Sequence, residues 1–123
     1  MIVAKGVDMI KICENIKKIL PIVDEVFYEH GNHLIIEATE WGRDDLRDSH
    51  LAGQAIDVKK PLMKQFDVFY KLKATLGVNY YVKAFEGHFH IAYAPGEETI
   101  KHIKKYYRKH KPAAVAPPGV QNL

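Results

Sequence analysis

Asn79-Tyr80-Tyr81-Val82-Lys83-Ala84-Phe85-Glu86-Gly87-His88-Phe89-His90-Ile91-Ala92-Tyr93 reads as two β-rich runs joined at Glu86-Gly87. Aromatic and β-branched residues suit a pleated, half-buried surface, and a short acid-glycine connection suits a hairpin turn. The reading predicts strands over 79–85 and 88–93. Strand side chains alternate between faces, so His88 and His90 are expected on one face and Phe89, Ile91 and Tyr93 on the other. One face of the hairpin is then available for chemistry while the other builds a core. Tyr80 and Tyr81 divide between the two faces by the same alternation.

Upstream, Gln54 to Val58 predicts a short strand, and residues 33–39, His-Leu-Ile-Ile-Glu-Ala-Thr, predict a buried one. The charged stretch 40–53 between them is expected to be a long loop. Asp8 is placed as the cap of a first helix whose apolar residues Met9, Ile12, Cys13, Ile16 and Ile19 recur at three- and four-residue spacing. A second helix is expected from Pro21, with Ile22, Val23, Val26 and Phe27 inside and Gly31 as its stop. After Lys60-Pro61 a third is expected, with Leu62, Phe66, Phe69, Leu72 and Leu76 on one side and Gly77 at its end. Residues 97–108 suggest a last helix. The fold class that follows is α+β, with helices packed against a small, mostly antiparallel sheet. Residues 1–110 form one domain, and 111–123, Pro/Ala-rich and without periodicity, are expected to be a flexible tail.

The 123 residues are 47% hydrophobic and 27% charged, ordinary values for a globular domain, with no apolar run long enough to cross a bilayer. The N-terminus lacks the basic start, apolar centre and cleavage site of a secretory signal, so synthesis in the cytosol is expected. Cys13 is the only cysteine, which excludes an internal disulfide and a Cys-based zinc ribbon, and its place on a helical stripe predicts a buried thiol. The net charge of +3 is uneven: residues 101–111 hold six Lys/Arg and no acid, leaving −3 on the remainder. That segment reads as a solvated helix face or as a contact for an anionic polymer. No basic-aromatic interleaving elsewhere supports nucleic-acid binding. No membrane partner is expected either, and a monomer is.

The chemistry concentrates in Ser49-His50-Leu51-Ala52-Gly53-Gln54-Ala55-Ile56-Asp57 and, 33 residues after Asp57, His90. Two histidines and a carboxylate converging from separate elements suit a zinc ion, one per chain, with its fourth position open, as a catalytic site requires. Gly53 permits a turn other residues resist, and Ala55 keeps bulk out of the space between His50 and Asp57. The ligands would be His50, Asp57 and one of His88 and His90. Glu86 is the nearest acid able to act as general base, or else a plain turn acid. Arg43 carries a fork of donors suited to a peptide carboxylate, or pairs with Glu40, Asp44 or Asp45. Trp41 is placed as a pocket wall or as a cap on the core. His30, His33, His102 and His110 read as ordinary surface or core histidines.

The run Ser-His-x-x-Gly-x-Ala-x-Asp followed by a distal His-x-His resembles the zinc D-Ala-D-Ala peptidases, whose shared pattern is Ser-x-His-x-x-Gly-x-Ala-x-Asp and then a distal histidine. That family includes van-type D,D-dipeptidases and carboxypeptidases, phage endolysin peptidases and the hedgehog signalling domain. The chain matches the fixed positions from His50 to Asp57, whereas Ser49 stands directly before the histidine and Asp48 occupies the serine position. The resemblance implies His50, Asp57 and His90 as zinc ligands, Glu86 as catalytic acid/base and His88 as a group stabilising the transition state. It also implies that Arg43, in Ala38-Thr39-Glu40-Trp41-Gly42-Arg43, binds substrate, with Trp41 and Ser49 lining the same site. Two features depart from the D,D-dipeptidases: the acid stands four rather than three residues before the distal histidine, and their Trp-His signature is absent. The resemblance implies a metallopeptidase acting on peptidoglycan or D-amino-acid peptides of the cell wall, as a phage-type lysin, a virion-borne or an exported enzyme does. A zinc-binding module without turnover, of the hedgehog type, is the alternative.

Overall fold

The computed structural model describes residues 1–10, 12–40 and 55–96. Its elements run β1 (Ile2–Val3), α1 (Glu14–Lys17), α2 (Leu20–Glu29), β2 (Ile35–Glu40), β3 (Ala55–Lys59), α3 (Gln65–Leu76), β4 (Tyr80–Ala84) and β5 (His88–Tyr93). The five strands form one mixed sheet in the order β1-β2-β3-β5-β4, so the chain is α+β. β1 lies parallel to β2, whereas β2–β3, β3–β5 and β5–β4 are antiparallel. The last predicted helix (97–108), the basic segment and the tail lie outside the described residues, as do 41–54. Among the described residues no helix is long and apolar enough to cross a membrane.

Alternation sorts the strands into two faces. Ile36, Ile56, Val58, Val82, Phe89 and Ile91 face the helices and are buried with Ile16, Val23, Phe27, Val68, Phe69 and Leu72. Phe69 and Phe89 meet edge to face at 5.5 Å, joining α3 to β5. The opposite face carries Asp57, Lys59, Lys83, His88 and His90, and the expected division of the hairpin into a core face and a chemical face holds. In β2 the register slips between Ile36 and Ala38, a bulge at Glu37 that brings Ala38 opposite Asp57.

Four expectations need correction. Ile22, expected on the inner face of α2, is 37% exposed, and Leu20 is buried with Val23, Val26 and Phe27 instead. The helix expected from Asp8 is confined to Glu14–Lys17, with Cys13 at its N-cap position. The Asp8 carboxylate instead accepts the Ile10 N–H at 2.9 Å, and the Asp8 carbonyl accepts the Thr39 hydroxyl at 3.0 Å. Asp8 is thus used in a local turn and tied to β2. β1, ahead of it, is a two-residue strand too short for a period to reveal. Cys13 is half-buried rather than buried, packed against the core's edge. Leu62 and Phe66, expected inside, are 88% and 53% exposed. The helix starts only at Gln65, after a left-handed Lys64 (φ 51°), so its buried stripe is Val68, Phe69, Leu72 and Leu76.

The approach to α3 is held by Asn32. Its side-chain amide donates to the Met63 carbonyl at 2.8 Å and the His30 carbonyl at 3.2 Å, while its oxygen accepts the Met63 N–H at 2.9 Å. Asn32 is buried, so these bonds replace water in full. Asn32→Ala should leave Met63 N–H and C=O without partners and lower unfolding stability by about 1–3 kcal/mol, measured by urea denaturation. His30 is likewise structural, with Nδ1 2.7 Å from the Val26 carbonyl that it closes at the end of α2.

Tyr80 donates its hydroxyl to the Asn15 carbonyl at 2.7 Å, tying β4 to α1. Burial, then the neighbouring Tyr93 and Cys13, raise its pKa above the usual 10.0, and burial raises that of Tyr81. A phenol that holds its proton more tightly when folded stabilises the fold fully below pH 10.0, and that contribution is lost as pH rises through the folded value. Lys60, whose pKa burial lowers from 10.5 against the opposing pull of Glu86, works in the other sense. Denaturation of wild type and Tyr80→Phe between pH 8 and about 11.5 cancels the Lys60 part. The variant is expected to show the shallower alkaline decline.

Candidate metal-binding site

The site begins with a register. Asp57, on the central strand β3, lies directly across from His90 on β5, and Lys59 across from His88. On the far side of β5, Lys83 of β4 lies across from His90. Side chains directly opposed on one face of an antiparallel pair come within contact distance, so two ligand-type residues 33 apart in sequence become neighbours.

The contact is short. Asp57 Oδ1 lies 2.7 Å from His90 Nδ1, with the His90 side chain 3% and the Asp57 side chain 16% exposed. An ionised carboxylate only accepts, so His90 Nδ1 carries the proton in this pair, and a neutral ring then directs its lone pair from Nε2. His88 approaches the same Asp57 oxygen more loosely, with Nε2 at 3.8 Å. Its ring stacks on buried Phe85 at 5.1 Å, and the Phe85 ring also meets His90 edge-on at 6.4 Å. Lys83 Nζ lies 5.9 Å from the centre of that ring. Phe85 therefore packs against both histidines, a contact not legible in the sequence. An aromatic residue immediately before the hairpin turn was its only trace.

Glu86, at the hairpin tip, is exposed, and among the described residues it makes no hydrogen bond or ion pair. Lys60 senses its charge, and the Lys60 N–H donates to the Gly87 carbonyl at 3.1 Å, which fastens the tip to the end of β3.

One carboxylate and two imidazoles form a donor set of the kind zinc accepts. Two ligand atoms on one tetrahedral zinc stand about 3.3 Å apart, given bonds near 2.0 Å. The 2.7 Å between Asp57 Oδ1 and His90 Nδ1 is the shorter, hydrogen-bond distance, so a metal joining these two side chains would need them to separate and would take the His90 ring at the nitrogen that carries no proton. Among the described residues no group of three or more His, Cys, Asp or Glu is arranged to hold a metal ion. The expected third ligand, His50, lies outside the described residues, together with Trp41, Arg43 and Ser49. The structure thus brings together Asp57, His88 and His90, and places Glu86 at the adjoining turn.

No family model, no curated protein and no solved structure matches the chain.

Proposed function

We propose that the chain is a zinc-dependent peptidase of the D-Ala-D-Ala type, acting on peptidoglycan stem peptides or related D-amino-acid peptides, with a hedgehog/DD-peptidase-like fold over residues 1–110. The observation that carries the reading is the Asp57–His90 contact at 2.7 Å, which joins the end of the Ser49–Asp57 motif to the distal His-x-His. His50, Asp57 and His90 would hold the metal. Zinc held there would supply Lewis acidity toward the scissile carbonyl and toward water. Glu86, swung inward from the hairpin tip, would take the proton from the attacking water and return it to the leaving amine. His88, fixed by its stack on Phe85, would donate to the oxygen on which charge develops. Arg43 would hold the substrate carboxylate, with Trp41 and Ser49 beside it.

A zinc-binding module without turnover is the second reading, and the exposure of Glu86 favours it. The two part on one experiment: zinc content of the purified protein, measured with hydrolysis of purified peptidoglycan and of D-Ala-D-Ala peptides. One zinc per chain with hydrolysis is expected. Zinc without cleavage of either substrate would select the module, and a folded protein that takes up no supplied zinc would end both readings.

A further inference from the structure

A cavity of about 250 Å³ opens beside Lys59, at the end of β3. Lys59, Lys60 and His33 are among its lining residues, no acid is, and Pro61, Leu62 and Met63 make the lining partly apolar. Its floor is held in shape by the Asn32 bonds to Met63, and its rim is fixed to the hairpin tip by the bond from Lys60 to Gly87. The cavity is therefore a built feature of the fold. Its volume falls below the roughly 300–1,000 Å³ of sites for drug-sized ligands, so it suits one or two amino-acid residues rather than a nucleotide-sized cofactor.

Its position relative to Asp57 follows from the strand. Lys59 is two residues beyond Asp57 on the same face and directly across from His88. Two strand residues span about 7 Å, the length that two residues of an extended peptide cover. We propose that this cavity is a subsite for a carboxylate-bearing residue of a peptide whose neighbouring bond lies at Asp57 and His90. Lys59 and Lys60 would take the anion, and the wall formed by Pro61, Leu62 and Met63 would take its aliphatic stem. The proposal rests on the peptidase reading for the ligand's being a peptide, and on nothing else in it.

The test needs no turnover. The full-length ¹⁵N-labelled protein is titrated with acetyl-Ala-D-Glu-amide and, separately, with acetyl-Ala-D-Gln-amide, which differs only in charge. The acidic probe should move the amide resonances of Asn32, Lys59, Lys60 and Met63, and bind at least about 5-fold more tightly than the neutral one. Lys59→Gln/Lys60→Gln, two changes away from the core, should erase that difference while the spectrum stays that of a folded chain. Equal binding of the two probes, shifts confined to other residues, or no shift with either probe would overturn the subsite. Hydrolysis without binding here would leave the peptidase standing and remove the subsite; binding here without zinc or hydrolysis would do the reverse.

Discussion

Glu86→Gln should retain the zinc content of the wild type and lose hydrolysis of D-Ala-D-Ala peptides by about 10²–10⁴-fold, the usual contribution of a positioned general base. Glutamine keeps the size and hydrogen-bonding reach of the side chain but cannot accept the water proton. Because Glu86 is exposed, the substitution leaves no buried group unpaired, and the thermal midpoint should stay within about 1 °C, as for a surface change of a few tenths of a kcal/mol or less. Activity and metal content are read on the same preparation. An active Glu86→Gln protein would assign the proton transfer elsewhere, with His88 next to be tested. If the wild type itself binds zinc and cleaves nothing, the module reading takes over and Glu86 is a turn residue.

Asp57→Ala carries the other large effect, and it acts on two quantities together. The substitution removes the carboxylate that His90 Nδ1 contacts at 2.7 Å, in a place where the His90 ring has almost no access to water. Leaving that nitrogen without its partner costs about 1–3 kcal/mol of unfolding stability. It also removes one of the three proposed ligands, so zinc should no longer copurify. Loss of a group that merely orients a ligand typically costs 10–100-fold in metal affinity, and loss of a ligand costs more. Competition with a chelator of known affinity separates the two cases. An unchanged zinc affinity in a folded Asp57→Ala protein would show that Asp57 only orients His90. Asp57→Asn, which keeps the shape and one acceptor oxygen, should recover part of the stability and little of the metal binding.

The hairpin was legible because its pattern is local: alternation over Tyr80–Tyr93 sets both strands and both faces. The strand at Ala55–Lys59 and the ends of α2 and α3, at Gly31 and Gly77, were legible for the same reason, since both glycines adopt positive φ (80° each) where a helix must stop. The first helix was overestimated because the spacing of Met9, Ile12, Ile16 and Ile19 does not reveal that Asp8 hydrogen-bonds Ile10 and receives Thr39 from another element. Leu62 and Phe66 were misplaced because the apolar period continues through a left-handed Lys64, next to the Met63 that Asn32 holds from 31 residues away. At the site, the spacing and chemistry of Asp57 and His90 suggested a meeting but not its register. Phe85 and the Lys59/Lys60 cavity were invisible, because each depends on what the β3–β5 pairing places beside it.

That strand order has a consequence for how the protein loses its structure. β3 is the middle strand, hydrogen-bonded on one side to β2 and on the other to β5, while β1 and β4 are the edges. Sheets open from their edges, and amide exchange is slowest where both neighbours must leave first. Asp57 and His90 therefore sit on the pair of strands last to separate, and Glu86 sits on the tip that leads to an edge. On gentle heating, the tip loosens while the carboxylate and the histidine still touch, so metal retention should outlast turnover, and slow exchange at Asp57 alongside fast exchange at Gly87 would record that separation.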